Sequence, residues 1–575
     1  MNTFRVKKVS GTYSELLEVY GLSNLLKSIL DALNFLDANI DITDRDMFYE
    51  VIADVDITDE MISHIHYFPF FKYIKTKVDT NVEQYPDCFD YPQEKIRKKE
   101  KNDALQKVYR EFQGKEKKEE REQQINKIED RFPLSPEYDV GSQICAPNNI
   151  SSFEKLYGNF HNNKEQFPAL VKEILSYYSD STHDSKAFEK KMKGSAFVKS
   201  VTATQLYNPN QGQGLNKPKA DGLNRKNFDS SWVTETMKIS GALSDMVCQL
   251  VKVGNSYDLK IFVPEYKKVI YTYKKSLILN FKKYLKGNTP VKIDVLNILL
   301  LTRKIVENIN VKGKVKNIVS GLHSVYQKDL GQNKAVVNIG FLQVPDFVEV
   351  NTKDERGDWL DILDDQRQII GSIEELGSTV QGLMWYRDFI SGSDLDSFFR
   401  FSFWYAVYLS NCLSNKKYAK AFTVETLNKF YMSMNNKLKE IIENKGFVAV
   451  AKAIRQSTVN LQYCPKEKRK YEIRYGVAQM LQIKSKTPED LAEFIGGFIA
   501  SYNSETARQT EKNGEALRAN VREDELMEFY TLLDKFPSKL VGAMLASYGF
   551  ALSAKKQEDM DDDMEADFIQ ELSEE

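Results

Sequence analysis

The sequence predicts an α+β protein, in which a mixed α/β N-terminal and central body is followed by an all-α helical bundle. Short runs rich in β-branched and aromatic residues, which predict strands, are found only before about residue 350. From Asp394 onward the apolar residues recur at helical spacing. The chain of 575 residues is long enough for several domains. We expect five consecutive regions: an N-terminal α/β region (1–92), a charged helical linker or excursion (93–131), a central α/β region (132–393) with a Gly/Asn/Lys-rich loop at 207–232, a helical bundle (394–556) and an acidic tail (557–575).

The first half of the chain alternates between helical and strand patterns. Residues 12–36 carry apolar positions at helical spacing, and MFYEVIADVDI at 47–57 predicts a strand. The mixed-charge stretch 93–131 predicts solvated helix with few core residues. Residues 232–253 predict a helix that is broken or bent near Gly241.

The second half begins with strand patterns and ends in helices. DLKIFVPEY at 258–266 predicts a strand, and 335–350 predicts a pair of strands that turns near Gly340 and Pro345. After residue 394 only helical patterns remain, and five or six antiparallel helices would close a bundle.

The loop from Tyr207 to Trp232, called the polar loop below, has the most unusual composition in the chain. Glycines and prolines interrupt a run of amide and cationic side chains. Glycine lets the backbone approach a ligand closely, and Asn or Gln can pair with adenine. Such a loop can hold a phosphate backbone while it presents amides to base edges, whereas the alternative is an ordinary polar loop whose turns need the same residues. Its candidate side chains are Asn208, Asn210, Gln211, Gln213, Asn216, Lys217, Lys219, Arg225 and Lys226.

Three lysine doublets follow the polar loop. Their spacings of seven and eight residues would place them on one face of a helix, with Tyr271, Tyr273 and Phe281 between them. A basic stripe with interleaved aromatic residues suits a phosphate backbone. The alternative is a solvated face on which lysine stems cover apolar neighbours. The doublets are Lys267 and Lys268, Lys274 and Lys275, and Lys282 and Lys283.

The predicted bundle is basic in its middle. Between residues 432 and 486 the chain has twelve Lys and Arg against four Glu. A basic bundle face suits a single nucleic-acid strand that is bound through its phosphates without sequence preference. The candidate residues for this strand track are Lys452, Arg455, Lys466, Lys468, Arg469, Lys470 and Arg474.

The sequence contains no convincing catalytic set, metal site or cofactor motif, so we expect a protein that is not an enzyme. The five histidines lie in unrelated settings, and the five cysteines lack pair spacing, which is typical of reduced cytosolic thiols. Neither a P-loop nor a dinucleotide fingerprint is present. Because no apolar run of about 18 residues and no signal core occur, we expect no membrane span and a cytoplasmic location.

The acidic tail concentrates negative charge at one end of the sequence. Residues 557–575 contain ten acidic residues and no basic one, and since the whole chain has a net charge of −2, the remainder is net positive by eight. This asymmetry indicates a polyanionic partner for the body. The tail itself could mimic DNA, recruit a partner enzyme or only solubilise the end.

The polar loop and the bundle together resemble the large subunit of type I CRISPR Cascade complexes, in the I-B-like or possibly the I-A-like branch. The likeness lies in Asn-Pro-x-Gln-Gly-x-Gly-x-Asn at 208–216, Lys-x-Asp-Gly at 219–222, and Trp232. The helical C-terminal third resembles the small-subunit-like bundle of that family. The two features cover about half of the chain, and residues 1–150 match only in general architecture.

This resemblance implies a non-catalytic subunit that lies near the 5′ handle of the guide RNA, recognises the short motif flanking the target in duplex DNA and helps to open the duplex. The loop amides would read that motif, and Lys217, Lys219, Arg225 and Lys226 would hold adjacent phosphates or the RNA handle. The basic bundle would steady the displaced or the target strand, stabilising the R-loop.

The partners implied by the resemblance are the guide RNA, the target duplex and its displaced strand, the backbone and handle-capping subunits, and a recruited helicase-nuclease. A separate small subunit could be translated internally from Met432 or Met434. Two alternatives stay open. A standalone nucleic-acid-binding scaffold would bind bulk nucleic acid without such partners, and a nucleotide-dependent enzyme would use the Gly-rich loop.

Overall fold

The computed structural model describes residues 1–552, except 84, 86–87, 113–117, 145–149, 180–184, 198–203, 211–230, 286, 288, 332–333, 465 and 515. The protein is 59% helical and 14% strand, with sheets in the N-terminal and central regions and a helical C-terminal region. The predicted α+β fold class is therefore confirmed.

The chain forms two compact units that interleave along the sequence. Unit 1 consists of Met1–Lys107, Gln123–Pro290 and Lys316–Val344, and unit 2 of Val108–Glu122, Val291–Val315 and Pro345–Glu575. The sequence predicted consecutive regions instead. The units interleave because Lys316–Val344 adds two strands to a sheet that begins before residue 290.

The strands of the described residues form two four-stranded antiparallel sheets and two small pairs. The first sheet has the order β1-β3-β2-β8, and the second has the order β11-β10-β7-β6. The small pairs are the parallel β4-β5 and the antiparallel β9-β12. The strands are β1 (Thr3–Lys7), β2 (Ile40–Asp44), β3 (Phe48–Ala53), β4 (Tyr73–Lys75), β5 (Cys88–Asp90), β6 (Val247–Val253), β7 (Ser256–Tyr266), β8 (Lys268–Ile270), β9 (Gly313–Lys314), β10 (Val319–Asp329), β11 (Lys334–Gln343) and β12 (Glu349–Val350).

Helices fill the connections of unit 1 and make up most of unit 2. The helices are α1 (Ser14–Ala32), α2 (Asp59–Ser63), α3 (Tyr91–Glu111), α4 (Lys118–Arg131), α5 (Tyr138–Ile144), α6 (Ile150–Asn162), α7 (Phe167–Ser179), α8 (Ser185–Met192), α9 (Trp232–Asp245), α10 (Tyr271–Lys283), α11 (Lys292–Val306), α12 (Lys353–Ser372), α13 (Val380–Gly392), α14 (Leu395–Ser414), α15 (Val424–Met434), α16 (Lys439–Ile442), α17 (Lys445–Ser457), α18 (Val459–Gln462), α19 (Val477–Lys484), α20 (Pro488–Asn513), α21 (Glu523–Lys535) and α22 (Ser538–Gly549). None of the described helices is long and apolar enough to cross a membrane.

The core of unit 1 is organised around the crossing of α1 and α9. A Cβ atom added at Gly21 would overlap the carbonyl oxygen of Met237, and one added at Gly241 would overlap that of Leu17. Glycine is therefore needed at both positions, because it lets the two helix backbones touch. Helix α9 continues through Gly241, so the predicted break there is absent.

Two strand assignments from the sequence are wrong. The predicted helix 232–253 ends at Asp245, and Val247–Val253 forms strand β6 against β7. Its β-branched residues suit a strand, but a short apolar run after a helix does not reveal where the period changes. Gly340 lies inside β11, paired with Ser324 of β10, so the predicted turn at Gly340 is absent. The chain does leave the strand before Pro345, but β12 then pairs with β9, so β11 and β12 are not a strand pair.

Unit 2 has an aromatic core. The ring of Phe398 lies 4.7 Å from Phe389 and 5.0 Å from Phe430, measured between centroids. Asp394 caps α14 by accepting bonds from the amides of Asp396 and Ser397. Nine α-helices are described between residues 395 and 549, more than the five or six predicted, because several are single turns that join longer helices.

Candidate nucleic-acid interface

Both ends of the polar loop are fixed to unit 1, although its residues 211–230 lie outside the described part of the chain. On the incoming side, the Tyr13 hydroxyl donates to the carbonyl of Leu206 (2.7 Å), and the Ser14 hydroxyl donates to that of Tyr207 (2.9 Å). On the outgoing side, Ser231 caps α9 in a capping box. The loop thus starts and ends beside the N-termini of two packed helices.

Asn208 is a structural residue at the base of the loop. Its amide nitrogen donates to Glu235 (2.8 Å), and its amide oxygen accepts from the ammonium of Lys238 (2.9 Å). Lys238 also donates to Glu235 (2.9 Å), one turn earlier on α9. All three side chains are buried. The prediction that Asn208 reads base edges is therefore wrong, because burial and two internal hydrogen bonds occupy its amide.

The same polar cluster reaches α1 and α7. Tyr178 donates from its hydroxyl to the carboxylate of Glu18 (3.0 Å). Burial raises the pKa of Glu18 to about 7, against the opposing effect of the Lys238 ammonium. Burial alone would lower the pKa of Lys238, but Glu235 and Glu18 together hold it above its usual value. The Lys238 ammonium thus interacts with the carboxyl groups of both Glu235 and Glu18, and it donates to Asn208 at the base of the loop. It therefore connects the loop base to α1 and α9.

Asn210 is exposed, unlike Asn208, and lies at the edge of the described residues. Its amide nitrogen donates to the carbonyl of Ser10 (2.6 Å). Ser10 is itself held by the carboxylate of Glu15, which accepts from both its amide (2.9 Å) and its hydroxyl (2.6 Å). Asn210 therefore stands on a fixed support at the surface. The other predicted loop residues lie outside the described residues: Gln211, Gln213, Asn216, Lys217, Lys219, Arg225 and Lys226.

The three lysine doublets do not lie on one helical face. Lys268 belongs to strand β8, which pairs with β2, and α10 begins only at Tyr271. Lys274 is buried and donates to both carboxylate oxygens of Asp245, at 2.6 and 2.5 Å. Burial lowers the pKa of Lys274, while Asp245 opposes that change. Lys274 is not a phosphate contact as predicted, because it neutralises a buried carboxylate.

Lys282 is also a structural residue. It donates to the carbonyl of Pro136 (3.1 Å) and to Asp139 (3.2 Å), and only 10% of its side chain is exposed. Internal partners thus replace the predicted phosphate contact. The lysines of the doublets that remain exposed are Lys267, Lys268, Lys275 and Lys283.

Unit 2 carries the densest exposed group of cations among the candidates, in residues 464–475, called the basic segment below. Lys466, Lys468 and Lys470 are exposed, and so is half of Tyr475. Between them Arg469 turns inward and donates to the carbonyls of Cys464 (2.8 Å) and Gln462 (3.3 Å). The side chain of Arg469 therefore holds the backbone of the segment, while the three lysine side chains point to solvent.

An arginine from elsewhere in unit 2 holds the basic segment in place. The guanidinium of Arg518 lies between the rings of Tyr471 and Tyr502, 3.7 and 3.9 Å from their centroids. It also donates to Glu505 (2.8 Å), which accepts from Arg474 as well (3.3 Å). Burial alone would raise the pKa of Glu505, but these arginines hold it below its usual value. The basic segment thus packs against α20 through Tyr471 and Arg474.

The predicted contacts of Arg469 and Arg474 with a nucleic-acid strand are wrong. The guanidinium group of Arg469 donates to the Cys464 carbonyl, and that of Arg474 donates to the Glu505 carboxylate. The same holds for Arg455, since it donates to the carbonyl of Tyr548 (3.3 Å) and burial lowers its pKa. Two further residues of this site, Tyr475 and Arg518, were not predicted from the sequence. Exposed Tyr475 was visible as an aromatic residue among lysines, whereas Arg518 gave no local signal.

Lys452 is exposed and lines a cleft of about 320 Å³ in unit 2. The cleft also contains Glu443, Lys445 and Glu525, so its charges balance. Balanced charge does not favour a polyanion.

Within the described residues, no three His, Cys, Asp or Glu side chains come close enough together to hold a metal ion. The chain matches no known protein-family model, and no curated protein sequence matches it. Unit 1 holds the two described ends of the polar loop in place, and unit 2 presents exposed lysines near an exposed aromatic ring.

Proposed function

We propose that this protein is the non-catalytic large subunit of an RNA-guided CRISPR interference (Cascade) complex. In this role it recognises the target-flanking motif in duplex DNA, contacts the 5′ handle region of the guide RNA and stabilises the R-loop. The observation that carries the proposal is the Asn-Pro-x-Gln-Gly-x-Gly-x-Asn motif at 208–216, whose first residue is locked into a buried polar cluster.

A fixed loop base favours sequence recognition. Binding by a loop costs free energy for each side chain and backbone segment that must be ordered. Here Asn208 is held by Glu235 and Lys238 before any ligand arrives, and Asn210 is held on Ser10. The ends of the loop are therefore ordered in advance, which leaves more of the contact energy for discriminating between bases.

The basic segment supports the second part of the proposal, the stabilisation of an opened strand. Lys466, Lys468 and Lys470 can neutralise successive phosphates, and the exposed ring of Tyr475 can stack on a base. Both contacts are independent of sequence. That is what a displaced or guide-paired strand of arbitrary sequence requires.

The remaining partners follow from the same proposal. They are the guide RNA, the target duplex with its displaced strand, the backbone and handle-capping subunits and a recruited helicase-nuclease, in the cytoplasm. A small subunit started at Met432 or Met434 would begin in the last turn of α15 and keep α16–α22 whole.

The strand contact is tested with two matched double variants. Lys468→Gln with Lys470→Gln removes two positive charges from the basic segment, and Lys353→Gln with Lys512→Gln removes two from other exposed positions of unit 2. Binding of a labelled single-stranded oligonucleotide is measured by anisotropy across a salt series. The first pair should flatten the slope of log K against log salt by about 0.7 per lysine, or about 1.4 in all. The control pair should leave it nearly unchanged, and equal losses would contradict a localised contact.

The division between loop and segment has its own test. Asn210→Ala should relax the choice of flanking motif, at about 1–3 kcal/mol for a lost base contact, without changing the salt slope. The double variant of the basic segment should weaken the binding of all nucleic-acid sequences by the same factor. If both variants gave the same sequence-independent loss, the protein would be a general nucleic-acid-binding scaffold instead.

A further inference from the structure

A short series of contacts connects Leu552, the last described residue of the chain, to the start of the basic segment. Leu552 donates from its amide to the carbonyl of Phe422 (2.8 Å), and its carbonyl accepts from the amide of Val424 (2.9 Å). Three residues before Phe422, the carbonyl of Ala419 accepts from the hydroxyl of Tyr463 (3.3 Å), which directly precedes the basic segment. These links place Leu552 within about 30 Å of that segment, because each residue spans at most about 3.6 Å.

The sequence beyond Leu552 is long enough and of the right charge to cover the basic segment. Twenty-three residues follow Leu552, and an extended chain of that length reaches about 75 Å. The acidic tail at 557–575 contains ten carboxylates and no basic residue. The extended length of these residues exceeds the distance from Leu552 to the basic segment, so the acidic tail can reach that segment.

The basic segment is net positive, with five Lys and Arg residues against Glu467 and Glu472. Lys466, Lys468 and Lys470 are exposed, and so is Lys416, three residues before Ala419. None of these four lysines forms an ion pair with another residue that the structure describes. They contrast with Lys417, which pairs with Glu374. The surface thus offers free cations to a polyanion.

We propose that the acidic tail binds the basic segment of its own chain and competes there with nucleic acid. The inference rests on the proposed function, because it takes the basic segment to be a strand-binding surface. The carboxylates of the tail meet the same lysine ammonium groups that phosphates would meet. A long nucleic-acid strand with many phosphates displaces the tail, whereas short or weakly held nucleic acid does not. The tail therefore raises the apparent Kd of the basic segment for nucleic acid.

Linkage to the same chain makes such competition effective. A tethered segment acts at about millimolar effective concentration. If the tail alone binds with a Kd of about 100 µM, it occupies the segment about nine-tenths of the time and weakens a competitor about tenfold. Because the attraction is between exposed charges, it fades at high salt.

The test compares the full chain with a chain that ends at Lys556, which removes only the acidic tail. The probe is a fluorescein-labelled 20-nucleotide DNA single strand of mixed sequence. Truncation should tighten its Kd about tenfold in low salt, and the difference should vanish near 0.5 M salt. A full-length chain with its tail Asp and Glu changed to Asn and Gln should behave as the truncated chain. A tail with the same residues in shuffled order should behave as the native one.

Two further measurements keep the tail and the nucleic-acid contact apart. Carbodiimide, which joins touching carboxylates and amines, should link the tail to Lys466, Lys468 or Lys470 in the protein alone, as read by mass spectrometry. Changing these three lysines to Gln should abolish both the links and the gain from truncation. Links formed only elsewhere, or a Kd that truncation leaves unchanged, would overturn the proposal. Links to these lysines in a chain that binds no nucleic acid even without its tail would uphold the docking and overturn the proposed function.

Discussion

Lys274 and Lys275 are neighbours in the sequence, but the structure places them in opposite environments. The side chain of Lys274 is 1% exposed, donates to both oxygens of the fully buried Asp245, and lies 4.7 Å from the ring centroid of Tyr20. Lys275 is exposed. Replacing each lysine separately by methionine, which has a similar length and no charge, therefore separates a structural from a binding role.

The loss of stability can be worked out from these contacts. Lys274→Met leaves Asp245 buried with only the hydroxyl of Ser244 (2.6 Å) among its described partners. Removing one member of a buried ion pair costs about 3–5 kcal/mol, and the lost contact with the ring of Tyr20 adds about 1 kcal/mol. We expect the free energy of unfolding of unit 1 to fall by about 4–6 kcal/mol. For Lys275→Met the change should stay within about 0.5 kcal/mol.

Hydrogen exchange of the amides of α9 and α10 measures these free energies locally, and oligonucleotide anisotropy at 10 °C measures binding by the folded fraction. Lys274→Met should lose protection and keep its affinity, whereas Lys275→Met should keep protection and lose affinity. Adding Asp245→Asn to Lys274→Met should recover part of the stability, because no buried charge remains. Equal protection in the two single variants would refute the assignment.

Three other predictions concern buried groups. Glu18→Gln should stabilise unit 1 above pH 7: the folded-state pKa of about 7 exceeds the usual 4.5, so the wild-type protein loses stability as pH rises through this window, by up to about 3 kcal/mol. Urea unfolding at pH 5 and pH 8 checks the difference. Gly241→Ala should cost about 3 kcal/mol or more, because its Cβ would overlap the backbone of Leu17, as thermal unfolding will report. Arg518→Lys should cost about 2–3 kcal/mol in unit 2, since an ammonium cannot stack between Tyr471 and Tyr502, and exchange in α20 will show it.

Two of these substitutions have a matched control variant. Gly158→Ala, on α6 with nothing near its added Cβ, should stabilise the protein by about 0.5–1 kcal/mol. Arg522→Lys, whose side chain is 65% exposed, should be neutral. The assignments fail if Gly241→Ala matches Gly158→Ala, if Arg518→Lys matches Arg522→Lys, or if Glu18→Gln keeps the wild-type dependence on pH.

The elements that the sequence predicted correctly are those whose pattern is local. Strand β7 lies within two residues of its prediction at 258–266, and helix α14 begins at Leu395, as expected from Asp394. The helical region itself begins earlier than predicted, because α12 and α13 precede α14. Strand β10 was missed, because its residues follow a cationic stretch without a clear alternation of apolar and polar side chains. The number of helices in the bundle was underestimated for a related reason: single turns carry too few residues to show a period.

The roles of individual cations depend on residues that are distant in sequence. Lys274 donates to Asp245, at the end of α9, which neutralises its charge in the core. Arg474 donates to Glu505 of α20. The sequence shows the charge of each lysine or arginine but not which carboxylate folding brings to it. Lys468 and Lys470 are exposed, and their contact with a nucleic-acid strand stays a prediction.

Isolation of the tagged protein from its native host, followed by sequencing of the RNA bound to it, tests the proposed function most directly. The account predicts a single class of short RNAs that share one constant 5′ handle, in wild-type protein and in Lys274→Met protein grown at low temperature. It also predicts co-purification with backbone and handle-capping subunits. A broad mixture of cellular RNA, or no RNA at all, would contradict assignment to an RNA-guided complex.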